Sequence, residues 1–106
     1  MSVPRAKLRF SKPLPHPGET LAQDYLIPLG LSAGSLSKAM GLKGRQRVER
    51  LVRGQQAVTA DTALRLARVF PNTSPTFWMN LQTSHDLSVA ELSVRDELQT
   101  LTPISN

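Results

Sequence analysis

Between Lys38 and Arg53 the chain carries Lys38, Lys43, Arg45, Arg47, Arg50 and Arg53 against a single acid, Glu49. Gln46 sits among them. These side chains suit the edges and backbone of nucleic acid. An arginine fork donates two parallel hydrogen bonds to O6 and N7 of guanine, and glutamine pairs with N6 and N7 of adenine. Lysines and the remaining arginines neutralise phosphates. Catalysis has no comparable foothold. There is no Ser-His-Asp set, no paired-carboxylate site, and Gly41-Leu42-Lys43-Gly44 is too sparse for a phosphate-cradling loop. The chain has no cysteine, which excludes disulfides, thiolate metal sites and a cysteine nucleophile. His16 and His85 lie far apart in sequence, so neither a metal nor a cofactor is expected, and the protein reads as a non-enzyme.

A run of arginines is most often a solvated helix face, and Glu49 has the spacing to pair with Arg45 or Arg53 on such a face. What precedes the run gives it a further meaning. Ser32 can cap a short helix over about 33–40 that presents Leu36, Ala39 and Met40 inward, and Gly41 stops it. A tight turn over 41–44 leads into a third helix, about 45–53, closed by Gly54. Two short helices joined by a turn holding glycine make a helix-turn-helix. In the second of them Val48, Leu51 and Val52 are spaced to dock on a core. Arg45, Gln46, Arg47, Glu49, Arg50 and Arg53 are left pointing outward.

Residues at the start of a recognition helix reach deepest into the major groove. Arg45, Gln46, Arg47 and Glu49 are therefore the expected base readers, while Arg50 and Arg53 fall nearer phosphates. Lys38, Ser35 and Lys43 are expected along the DNA backbone. The free amides at the start of the next helix, capped by Thr59, suit a phosphate oxygen.

The flanking elements follow from start and stop signals. Helix one begins at Pro17, carries Leu21, Tyr25 and Leu26 on one face, and is ended by Pro28 and Gly30. Helix four follows Thr59, with Asp61 in its first turn and Ala63, Leu64, Ala67 and Phe70 at helical spacing, until Pro71. Ser74-Pro75 opens helix five, which carries Phe77, Trp78 and Leu81. Ser88-Val89-Ala90-Glu91 has capping-box spacing, so a last helix over about 89–98 either stands alone or continues helix five.

Neighbouring residues on a helix point about 100° apart, so either Phe77 and Trp78 both fill the core or one of them faces a dimer seam. Phe77, Trp78 and Leu81 are the expected dimerisation residues, with Leu87, Val89 and Leu92 extending the seam.

The strings His16-Pro17-Gly18-Glu19, Pro28-Leu29-Gly30-Leu31-Ser32, Thr59-Ala60-Asp61-Thr62-Ala63-Leu64-Arg65-Leu66-Ala67-Arg68 and Ser74-Pro75-Thr76-Phe77-Trp78-Met79-Asn80-Leu81-Gln82, in this order, resemble the HigA-type antitoxins. These belong to the lambda-repressor-like (Xre) helix-turn-helix group. The likeness covers about residues 16–98. It implies an all-α, lambda-repressor-like fold of five or six helices, a homodimer, and repression of the protein's own promoter through double-stranded operator DNA. It also implies a small RelE/HigB-like, mRNA-cleaving toxin as partner, with the N-terminal arm and helix one as the expected toxin surface. A stand-alone Xre regulator without a toxin is the alternative. The chain departs from the family pattern in Ser37, where alanine is usual, and in turns at 41–44 and 70–74 that are each one residue longer.

The whole is 106 residues, enough for one core. Residues 1–15, with Arg5, Lys7, Arg9, Lys12 and three prolines, read as an extended basic arm. Residues 16–98 form the helix-turn-helix domain with a C-terminal dimerisation helix, and 99–106 a frayed tail. No apolar run is long enough to span a membrane, and Met1 to Pro15 lack the apolar segment of a signal peptide. A bacterial cytoplasmic protein is expected.

Overall fold

Helices begin where a side-chain acceptor meets the free N–H groups of a first turn. The computed structural model, which describes residues 11–104, contains four such starts. His16 Nδ1 accepts from the Gly18 N–H at 2.9 Å, ahead of Pro17. Ser32 Oγ accepts from Ser35, Thr59 Oγ1 from Thr62, and Ser74 Oγ from Phe77, ahead of Pro75. Proline fits a first turn because its missing N–H has no partner to lose there. Most of the basic arm lies outside the described residues.

Five helices result among the described residues. α1 comprises an α-turn Pro17–Leu21, a π-helical stretch Ala22–Leu26 and a last turn Ile27–Leu29. α2 is Ala33–Ala39, α3 Gln46–Val52, α4 Ala60–Val69 and α5 Pro75–Thr100. Among the described residues there is no strand, and the fold is all-helical, as expected.

Two expectations change, and one alternative is decided. The first helix passes through Pro28 and is stopped by Gly30. The π turn just before Pro28 widens the helix where the proline ring would otherwise crowd the Asp24 carbonyl. Of the two readings of the C-terminal stretch, continuation is the one observed: α5 runs past Ser88 to Thr100, with one non-helical residue at Val94. Ser88 is instead fully buried, donating to the His85 carbonyl at 2.7 Å and accepting from the Leu14 N–H at 2.8 Å. Finally, Trp78 faces no seam: it is 0% exposed within the chain's own core.

That core gathers Leu21 and Leu26 of α1, Leu36 of α2, Val48 and Leu51 of α3, Ala63 and Leu66 of α4, and Trp78 of α5. Tyr25 lies 4.8 Å from Phe70 and 5.4 Å from Trp78 between ring centroids. The indole N–H donates to Thr73 Oγ1 at 2.9 Å, which in turn donates to the Phe70 carbonyl, so the buried polar edge of Trp78 is satisfied. Buried Gln82 accepts from the Val58 N–H at 2.7 Å and thereby pins the segment between α3 and α4 onto α5. Ser37 is buried with no hydrogen-bond partner for its hydroxyl, so serine in place of the usual alanine carries a desolvation cost.

α1 and α3 meet at Gly18. A methyl group there would overlap the Leu51 carbonyl oxygen, a backbone atom with no side-chain freedom to yield. Beside this contact His16 and His85, distant in sequence, stack edge to face with ring centroids 5.1 Å apart. His16 spends Nδ1 on the Gly18 amide, and His85 Nδ1 donates to the Leu14 carbonyl at 2.7 Å. Burial, then the neighbouring His85, pulls His16 below the ordinary imidazole range, opposed by Asp86 and a hydrogen bond to the Gln56 backbone.

Gly18→Ala should lower unfolding stability by about 3 kcal/mol in urea denaturation. Gly34→Ala, where a new methyl meets nothing closer than Ser32 Oγ at 3.8 Å, should instead raise it by about 0.5–1 kcal/mol. The fold favours neutral His16, so its contribution is complete above the unfolded value of about 6.5 and is lost as pH falls through the lower folded value. The melting temperature should drop across that window, and His16→Asn, which keeps a capping acceptor without titrating, should flatten the drop.

Candidate nucleic-acid interface

α3 is seven residues long and is bracketed by two turns of one kind. After α2, Gly41 adopts φ 75°, with its N–H on the Lys38 carbonyl and the Leu42 N–H on the Ser37 carbonyl. After α3, Gly54 adopts φ 74°, with its N–H on Leu51 and the Gln55 N–H on Arg50. Both are Schellman stops, which need a residue that tolerates the left-handed region. They fix where α3 enters and leaves. The helix spans Gln46–Val52, with Arg45 and Arg53 as its caps, one residue inside the expected limits at each end.

Val48 and Leu51 are buried and Val52 is half-buried, as the spacing requires. At about 100° per residue the opposite ridge is Gln46, Arg50 and Arg53, and all three are exposed. The two arginines expected to lead into the groove lie on the flanks instead, each held by an acid. Arg45 Nε meets Glu49 Oε2 at 3.2 Å. Arg47 Nη1 donates to Asp61 Oδ2 at 2.7 Å, across to the first turn of α4. The same Asp61 oxygen accepts from Arg65 Nε at 3.0 Å, and Arg65 Nη1 donates to the Met40 carbonyl at 2.7 Å. The two guanidinium groups hold the Asp61 carboxyl below its usual range.

Lys38, Lys43, Arg50 and Arg53 are exposed and make no ion pair among the described residues, so this face carries uncompensated positive charge. Ser35 is exposed at the start of α2, its Oγ accepting from Ser32 Oγ. Thr59 is exposed, but its hydroxyl is committed to the Thr62 amide and hydroxyl as the α4 cap. Of the residues expected at a dimer seam, Phe77 and Leu81 are half-buried beside the core. Exposed apolar side chains lie further along α5, at Leu87, Val89, Val94 and Leu98, with Leu101 just beyond it. Leu14, Leu87, Ala90, Val94 and Leu98 line an open groove of about 490 Å³.

Sequence reasoning placed Asp61 only as a helix-dipole partner. Its link to Arg65 follows i,i+4 spacing and was readable; its link to Arg47, across two helices, was not. No helix of the described residues is long and apolar enough to cross a membrane.

A family model described as helix-turn-helix matches residues 23–78. The chain is 42% identical over 105 residues to virulence-associated protein I of Dichelobacter nodosus, covering 99% of this chain and 93% of that protein. Among solved structures it is similar to the antitoxin HigA of Pseudomonas aeruginosa with the higBA promoter. That match has a TM-score of 0.80 and 34% identity, and covers 89% of this chain and 100% of the other. It is also similar to the P. aeruginosa protein PA4674 in complex with 18-base-pair operator DNA, with a TM-score of 0.82, 33% identity, and 92% and 100% of the two chains covered.

Proposed function

Because the chain belongs to the lambda-repressor-like helix-turn-helix family, in its HigA-type antitoxin group, we propose that it binds the DNA upstream of its own gene, represses that promoter and neutralises a small toxin. The observation that carries the DNA half is the ridge Gln46–Arg50–Arg53 on a helix whose other side is anchored in the core. α3 lies in the major groove. Gln46 and the flanking Arg45 and Arg47 meet base edges, while Lys38, Lys43 and the further arginines meet phosphates. The free amides at the start of α4 take a phosphate oxygen.

Reading a two-fold operator requires two copies. Leu87, Val94 and Leu98 recur at helical spacing on the projecting half of α5 and are exposed, with Leu101 exposed just beyond it, which supports a homodimer through that stripe rather than through Trp78. Two recognition helices would then address half-sites about 34–36 Å apart. The antitoxin half rests on kinship with the HigA of the promoter complex. The toxin is of the RelE-like, mRNA-cleaving kind, and the arm with α1 is its docking surface.

Binding to the upstream duplex and to a scrambled duplex, measured against salt, tests the DNA half. Gln46→Ala should relax sequence preference by about 1–3 kcal/mol. Lys38→Ala should weaken both duplexes alike and reduce the salt slope by about 1. A response flat in salt would remove the DNA role. For the antitoxin half, co-expression with the neighbouring small gene should relieve growth arrest and co-purify its product. Intact operator binding without either result would leave a stand-alone regulator.

A further inference from the structure

Among the described residues, Arg47 is the only arginine of α3 whose guanidinium is tied to another helix, and the tie continues beyond it. From the Met40 carbonyl at the end of α2, the chain of contacts passes to Arg65 Nη1, from Arg65 Nε to Asp61 Oδ2, and from Asp61 Oδ2 to Arg47 Nη1. Each link is 3.0 Å or shorter. It therefore spans the three elements that a helix-turn-helix protein sets against DNA. The side chains of Arg47, Asp61 and Arg65 are 36%, 55% and 38% exposed, so the network lies at the surface and not in the core.

Exposed ion pairs add little to stability. A carboxylate beside a polyanion is unfavourable unless its charge is met. Here two guanidinium groups meet it, leaving the cluster with a net positive charge. What the arrangement provides is direction. Arg47 has one nitrogen on Asp61, while its Nε–Nη2 edge has no partner among the described residues. That edge carries two parallel N–H groups, the pair that matches O6 and N7 of guanine. A fork held in place before the DNA arrives loses less freedom on binding.

We propose that Asp61, braced by Arg65 against the Met40 carbonyl, is a positioning residue that aims Arg47 at a guanine of the operator. This rests on the DNA-binding reading above. It makes Asp61 a determinant of sequence preference although it touches no base.

The test compares the upstream duplex with a scrambled duplex at fixed salt, for the full chain and for Asp61→Asn, Arg47→Ala, the double variant and Arg65→Met, with melting temperatures alongside. Asp61→Asn should lower the ratio of operator to scrambled affinity roughly tenfold. Its affinity for scrambled DNA should hold or rise, since one negative charge facing the phosphates is gone. Arg47→Ala should lose a similar factor, and the double variant should lose no more than Arg47→Ala alone. Arg65→Met should fall between Asp61→Asn and the parent, and Asp61→Glu should recover part of the preference. Replacing guanines one at a time by 7-deazaguanine should reveal one position that costs the parent affinity and costs Asp61→Asn nothing further.

An unchanged ratio in Asp61→Asn would overturn the inference while leaving the DNA-binding reading intact. Additive losses in the double variant would do the same. Equal weakening on both duplexes, with a fall in melting temperature, would reduce Asp61 to a helix-start residue. A parent protein with no preference for the upstream duplex would overturn both readings together.

Discussion

A helix of seven residues does not persist by itself in water, where even good helix formers need about twelve to fifteen. α3 exists because its surroundings hold it. Val48 and Leu51 are sunk in the core, two glycine stops fix its ends, and α1 approaches so closely at Gly18 that only a bare Cα fits against the Leu51 carbonyl. A face held in one shape before contact loses less freedom on binding. The outer ridge is defined because the inner one has nowhere to go.

That inner support is itself layered. The Tyr25–Phe70–Trp78 cluster joins α1, the end of α4 and α5 through ring contacts, and Gln82 ties the link between α3 and α4 to α5 by a buried hydrogen bond. The C-terminal half of α5 extends beyond this assembly, and the molecule measures 53 by 23 by 23 Å along its principal axes. The exposed arginines of α3 and the exposed leucines of the far half of α5 are thus distinct surfaces of one elongated molecule.

Most of the fold was legible because its signals are local. Ser32, Thr59 and Ser74 each cap a helix three residues before the amide they serve, and Gly30, Gly41 and Gly54 each stop one. These depend on a few consecutive residues. What was left open or misplaced has the opposite property. Ser88 has capping-box spacing, but a helix already under way needs no start, and its hydroxyl serves Leu14, 74 residues earlier. Adjacency of Phe77 and Trp78 told only that they face different ways, not which way is inward. At the interface, periodicity correctly separated Val48 and Leu51 from the polar side. It could not tell that Arg47 leans toward Asp61, because that depends on where α4 lies.

Leu14 offers a last point. Its N–H and carbonyl are both taken by α5, through Ser88 and His85, and its side chain lines the apolar groove on that helix. The segment leading out of the N-terminal arm is therefore also a wall of that groove. Two ligands that share one wall are thermodynamically linked. A partner that grips the arm and draws Leu14 away changes the affinity of whatever occupies the groove, and the occupant changes the partner's affinity by the same factor. Reciprocity of this kind needs no moving domain, only two main-chain hydrogen bonds placed where one surface ends and another begins.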